Sequence, residues 1–480
     1  MRHTRTRRTT ATALAMTLAI ATIGGGGAAR QAPANPPPNR TPTSESVDGF
    51  TLSPTKGPAN TAGTHTTITP PTSGITFTQI SAGNGHSLAI GSDGNTYAWG
   101  DNEYGQLGNG TGGDRNIPVR VHAPAGVRFT QVSAGYYYSL AIGDDGHAYS
   151  WGYNGHGQLG NGSSDWISSN PTPARIIDPA PGTTWTTISA GHEHSLGIDN
   201  HGHAYSWGRN IYGQLGDNSN GTNSPNYDNA DKHTPVRVTD PAPGTTWTAV
   251  SAGDGHSLGI DSDGHAYGWG RNRFGQLGNG SSDNTPRPTP ARVTDPTAGT
   301  TWKTISAGDE FSLAIDSNGH AYSWGANNGG QLGNGSSDGI YGHFPHPTPA
   351  RVTDPTPNTH WTTISAGHGH GLAIDNNGHA YSWGYNYYGE LGNGGRDGVH
   401  QTPHPTPARV TDPTPNTTWT TISAGYEHSL AIDNHGHASS CGLPLHAPVC
   451  HVTPGPAYTG TPHPPLRFVS PQPPVPTARL

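Results

Sequence analysis

The chain has 480 residues, of which 30% are hydrophobic, and a formal net charge of -8. Its 70 glycines and 44 prolines argue against a helical bundle, and an aperiodic chain of this composition would be disordered. The acidic balance disfavours the phosphate contacts on which nucleic-acid binding depends, so no nucleic-acid partner is expected.

Arg2, Arg5, Arg7 and Arg8 precede an apolar run from Ala11 to Ile23 and a glycine stretch ending before Arg30, the layout of a secretory signal over residues 1–29. The run is too short to span a bilayer, so no membrane span is expected in the mature chain. Arg7-Arg8 admits a twin-arginine route, but the apolar residues that usually follow are missing, which favours general secretion. Removing the four arginines would take the charge from -8 to -12. The expected location is secreted or loosely cell-surface associated. Residues 30–60, rich in Pro, Thr and Gly, read as a linker.

From residue 61 to 442 the chain repeats. Ser-Ala-Gly recurs at Ser81, Ser133, Ser189, Ser251, Ser306, Ser365 and Ser423, a spacing that marks a radial or stacked array. In the third copy, Leu196 and Ile198 flank Gly197 and Tyr205 and Trp207 flank Ser206, the period of two that defines a strand. Asp199-Asn-His-Gly202 between them has the residues of a tight hairpin turn. With a strand opening at Trp185 and one around Thr234 to Val238, each unit holds about four strands, as a propeller blade does. No stretch has a helical period.

The units resemble regulator of chromosome condensation repeats, with paired Trp-Gly and Gly-Gln-Leu-Gly motifs at Trp99 and Gln106, Trp151 and Gln158, Trp207 and Gln214, Trp269 and Gln276, and Trp324 and Gln331. In the sixth unit Trp383 is followed by Glu390 in place of Gln. The resemblance implies an all-β, seven-bladed β-propeller with irregular terminal tails. Nuclear relatives bind chromatin, and the eukaryotic founder is an exchange factor for a small GTPase. Only scaffold residues match here, so neither activity carries across.

The repeated histidines invite a metal-ligand reading. His86, His194, His256, His370 and His428 share one repeat position, with Tyr138 and Phe311 in its other copies, which favours packing. His147, His203, His265, His320, His379 and His437 follow the turn glycine and read as solvated turn residues. The Asp261-Ser-Asp-Gly264 turn and its counterparts lack the acidic twelfth residue of a calcium loop. No metal, cofactor or catalytic residue is therefore expected, and the protein reads as a non-enzyme.

The segments after Gly-Gln-Leu-Gly vary in length and should emerge on one face. Trp166, Tyr227, Tyr341, Phe344 and Arg396 are the candidate partner contacts on them. Aromatics after Trp-Gly, among them Tyr104, Tyr153, Tyr385, Tyr387 and Tyr388, fit either that face or packing between blades. The leading function is a secreted, monomeric propeller that binds a protein or glycan as an adhesion scaffold. Alternatives are an enzyme inhibitor or, in another class, a guanine-nucleotide exchange factor or enzyme using one face. An acidic or metal-bearing cluster lining the channel would favour that other class, and clustered aromatics on one face would favour binding.

In the seventh unit Ser439-Ser-Cys-Gly442 stands where Tyr-Ser-Trp-Gly is expected, and residues 443–480 form a Pro-rich tail without repeat character. Cys441 and Cys450 fit a disulfide or two free thiols equally well. The seventh unit lacks a final strand, and aligning the first two units places Thr67-Ile-Thr69 as a surplus one. Residues around His65 to Thr69 are therefore expected to complete the seventh blade and close the ring.

Overall fold

The computed structural model describes residues 46–47, 50–53, 67–69, 74–221, 230–339, 341–398 and 402–442. The third repeat folds as its alternation requires, into antiparallel strands Trp185–Ala190, His194–Asp199, Ala204–Gly208 and Lys232–Arg237 in that order across one sheet. Ile188 faces Gly197, Leu196 faces Ser206, and Tyr205 faces Arg237. Seven such sheets form the ring; six have four strands and the seventh has three, Trp419–Ala424, His428–Asp433 and Ala438–Gly442. No α-helix occurs among the described residues.

The hydrophobic core is seven clusters, each shared by two neighbouring blades. Fully buried indoles of Trp151, Trp207, Trp269, Trp324 and Trp383 dominate it, and such side chains each remove about 150–250 Å² from water. Each indole N–H also donates to the backbone carbonyl of the preceding unit's Gln, as Trp207 does to Gln158 at 2.8 Å.

Ser-Ala-Gly explains itself around the axis. Each Ser Oγ accepts the N–H of the Ala in the next blade at 2.9–3.0 Å, from Ser81 with Ala134 round to Ser423 with Ala82. Each Gly backs onto the next blade's Gly carbonyl so closely that a Cβ would lie 2.4–2.8 Å from it. No other residue fits there without moving main chain.

The closure differs from the expectation. Thr67–Thr69 pairs antiparallel with Phe50–Ser53, which in turn pairs with Ser46–Val47, so its hydrogen bonds go to an N-terminal sheet rather than to the seventh blade. The segment read as a linker thus contributes two strands. The ring closes through the inner strands: Phe77 N–H donates to the Gly436 carbonyl at 2.7 Å, and Ile75, Phe77 and Ile80 pack with Leu430 and Ile432. Thr67–Thr69 lies alongside Ala438–Gly442 without joining its sheet. The signal segment, the tail from 443 and Cys450 lie outside the described residues.

Cys441 occupies the seventh blade's Trp position, opposite Ser429. A void lined by Leu372, Leu391, Val410, Trp419, Leu430 and Cys441 lies where an indole sits in other blades. Cys441→Trp is expected to fill it, donate to the Glu390 carbonyl and raise stability by about 1–2 kcal/mol. Thermal unfolding checks this; an unchanged or lower midpoint would show that the blade has adapted to cysteine.

Candidate functional site: an acidic and aromatic face

Antiparallel order puts three things on one edge of every blade: the turn between the inner two strands, the end of the third strand, and the start of the variable loop. In blade three these are His192-Glu193, Gly208, and the segment leading to Lys232. The turn residues are the two that follow Ser-Ala-Gly. They read Asn84-Gly85, Tyr136-Tyr137, His192-Glu193, Asp254-Gly255, Asp309-Glu310, His368-Gly369 and Tyr426-Glu427, and the first residue of each pair lines the channel mouth.

Aromatic side chains form a continuous tract over this face. Trp166 lies 6.2 Å from Tyr153, which is 4.9 Å from Tyr104; Tyr104 is 5.2 Å from Tyr137. Tyr136 adjoins Tyr137 at 4.3 Å and reaches Tyr426 at 5.8 Å, and Tyr426 stacks on His368 at 3.7 Å between ring centroids. Tyr136, His368 and Tyr426 of this tract line the channel mouth.

Beside that tract, between blades four and seven, opens a cleft of about 570 Å³. Its walls carry Asp254, Asp309, Glu310, Glu390 and Glu427 together with Tyr385, Tyr387, Tyr388 and Tyr426. Asp309 contacts His368 at 3.3 Å, and Arg271 contacts Glu310 at 3.0 Å and Asp254 at 3.4 Å. Negative charge still exceeds positive. Burial raises the Asp309 carboxyl well above its usual range, helped by the charges of Asp254 and Glu310. Burial likewise raises Glu310 and Glu427.

Glu390 is only 4% exposed, and burial pushes its carboxyl to about 7. It accepts the backbone N–H groups of Tyr387 and Tyr388, at 3.0 and 2.7 Å, where the Gln copies accept one. A folded-state value above the ordinary carboxylate value means that Glu390 supports the fold fully below about pH 4.5, and that this support is lost as pH rises through 7. Glu390→Gln is expected to stabilise the protein by about 1–2 kcal/mol at pH 8 and by little at pH 5. Equal effects at both pH values in thermal unfolding would contradict this.

The histidines of the shared position are buried: His86, His194, His256 and His370 are held at about 3 and His428 at about 4, chiefly by desolvation. His194 Nε2 lies 2.9 Å from Ser257 Oγ, whose hydroxyl donates to the Gln214 carbonyl, so the imidazole is the donor to Ser257. They are inter-blade struts.

Of the residues singled out from sequence, Trp166, Tyr341, Phe344 and Arg396 are exposed on loops of this face. Trp166 joins the aromatic tract, 4.4 Å from His156. The other three do not line the cleft. Tyr227 lies outside the described residues. Of the aromatics after Trp-Gly, Tyr385, Tyr387 and Tyr388 line the cleft, whereas Phe274 is buried. Sequence reasoning missed the turn pairs, although their signal was present: they are two varying positions between the uniform Ser-Ala-Gly and the buried histidine position.

The blade topology, the Ser-Ala-Gly ring and the Trp-to-Gln bonds define a seven-bladed propeller of the chromosome-condensation-regulator class. Residues 174–449 match the RCC1-like domain, and residues 93–142 and 145–198 match the regulator of chromosome condensation (RCC1) repeat. The chain belongs to this family. It is similar to the ultraviolet-B receptor UVR8 of Arabidopsis thaliana, 32% identical over 364 residues that cover 76% of each chain. The human E3 ubiquitin-protein ligase HERC2 is 30% identical over 321 residues, 66% of this chain but 6% of that protein. The structure of Prp20p from Saccharomyces cerevisiae, described with its binding to Gsp1p and histones, shares the fold at a TM-score of 0.60 and 23% identity, covering 74% of this chain and 82% of that one.

Proposed function

We propose that the protein is a non-enzymatic, protein-binding propeller that takes a lysine- or arginine-bearing segment of a partner into the acidic, tyrosine-walled cleft. The observation that carries this reading is the pairing, in one 570 Å³ cleft, of excess carboxylates with half-buried tyrosine rings that line its wall. Cations are attracted both to carboxylates and to aromatic faces. The fold-related Prp20p is described with Gsp1p and histones as binding partners, which fits a protein ligand better than a glycan. The arginine-flanked apolar run at the N-terminus supports export, so the partner is sought outside the cell.

The enzyme reading draws on the same carboxylates, since an acidic cluster lining the channel would favour it. Asp309, Glu310 and Asp254 are engaged with His368 and Arg271, an arrangement suited to holding charge rather than to flanking a reacting bond.

The test is a pull-down from the organism's extracellular fraction with the wild type and Glu310→Gln/Glu427→Gln as parallel baits. A basic protein retained by the wild type, eluted by salt and lost from the variant is expected. Equal retention by both baits, or none by either, would overturn the reading.

A further inference from the structure

The opposite face carries the turns between the second and third strands, and two of them bring three potential metal ligands together. In blade three these are Asp199, His201 and His203; in blade seven they are Asp433, His435 and His437. Within each set the ligand atoms lie within 4.8 Å of one another. His203 Nδ1 is 3.0 Å and His201 Nδ1 3.9 Å from Asp199 Oδ2. The corresponding distances in blade seven are 3.1 and 3.9 Å. The two imidazoles stack at 5.8 Å in both turns. Gly202 and Gly436, at φ of 77° and 80°, make the tight turn that sets the flanking histidines side by side.

The aspartates are oriented in advance. Asp199 Oδ1 accepts the backbone N–H groups of His201 and His203 at 2.9 and 2.8 Å, and Asp433 Oδ1 does the same for His435 and His437 at 2.8 and 2.9 Å. Each Oδ2 is thereby turned toward the imidazoles. Such outer hydrogen bonding is what fixes metal-ligating carboxylates. The Asp199 side chain is 5% exposed and that of His201 67%, so the anchor is rigid while the more distant ligand is free to swing in.

We infer that Asp199/His201/His203 and Asp433/His435/His437 are two equivalent binding sites for a borderline divalent transition-metal ion of the zinc type. Two nitrogens and one carboxylate oxygen supply three positions of a tetrahedral set, with the fourth open to solvent. This goes beyond the sequence reading, which expected no metal. It considered the histidine after the glycine in every turn but not the one before it, and the Asp-x-His-Gly-His spacing was the signal overlooked.

The other blades act as internal controls. Blades five and six keep the Asp–His pair, Asp316 with His320 at 3.1 Å and Asp375 with His379 at 3.2 Å, but place Asn318 and Asn377 at the middle position. Asn is therefore tolerated by the turn, and His201→Asn recreates the Asp-Asn-Asn-Gly-His sequence of blade six. Blade four has Asp263 there, and weaker binding is expected of it.

The test is calorimetric titration of the full chain, carrying no affinity tag, with zinc chloride alone. Two tight equivalents are expected for the wild type, one for His201→Asn or His435→Asn, and none for the double variant with its thermal midpoint in apo form unchanged. No tight zinc uptake by the wild type, or the same stoichiometry in the double variant, would overturn the inference.

Discussion

Gly253→Ala should destabilise the propeller by about 3 kcal/mol, near the upper end of what overpacking costs. The added Cβ would lie 2.4 Å from the Gly308 carbonyl and 2.8 Å from His256. The first obstacle is main chain in the next blade, so relief requires moving one inner strand against another. That motion strains the Asp254 N–H bond to the Gly308 carbonyl and the Ser189 bond to Ala252. Gly112, where the nearest atom would be 3.8 Å away, is the control, and Gly112→Ala should be close to neutral. Denaturant unfolding compares them. Similar midpoints for both variants would mean that the ring of glycines is not a tight constraint.

The second large effect is acid unfolding. His86, His194, His256, His370 and His428 stay neutral in the fold and take up protons when unfolded. Values lowered in the folded state mean that their support is present above about pH 6.5 and is lost as pH falls toward 3–4. If all five contribute, stability falls by about 7 kcal/mol per pH unit, against a typical total of about 5–15 kcal/mol. The raised carboxylates of the cleft oppose this above about pH 4.5, so the loss should steepen below that point. His256→Phe, which copies Phe311 of blade five, should remove one proton from the uptake and flatten the acid limb. An unchanged pH dependence in that variant would show that the buried histidines do not drive the transition.

Blades one to six follow from alternation and turn chemistry because each blade is local in sequence, so short-range signals fix its strands. The central ring was harder to read. Ser-Ala-Gly was visible, but its Oγ-to-N–H contacts join residues 53 to 63 positions apart, and across the closure 341 apart. The N-terminal strand was assigned to the seventh blade by counting repeats, which carries no information on the competing partner at Phe50–Ser53. The candidate site was legible in type rather than in place. Unequal loops such as those bearing Trp166 and Tyr341 marked the face. The cleft itself arises where turn pairs of three blades, Asp309-Glu310, His368-Gly369 and Tyr426-Glu427, meet Tyr385 to Glu390. No single repeat shows that convergence.

The measurement that bears most directly on this face as a docking site is hydrogen–deuterium exchange of the full chain with and without a saturating lysine- and arginine-rich peptide. Slowed exchange is expected at 254–255, 309–310, 385–390 and 426–427, with the turns at 200–203 and 434–437 on the other face unchanged. Protection confined to that other face, or no protection at any peptide concentration, would contradict the assignment.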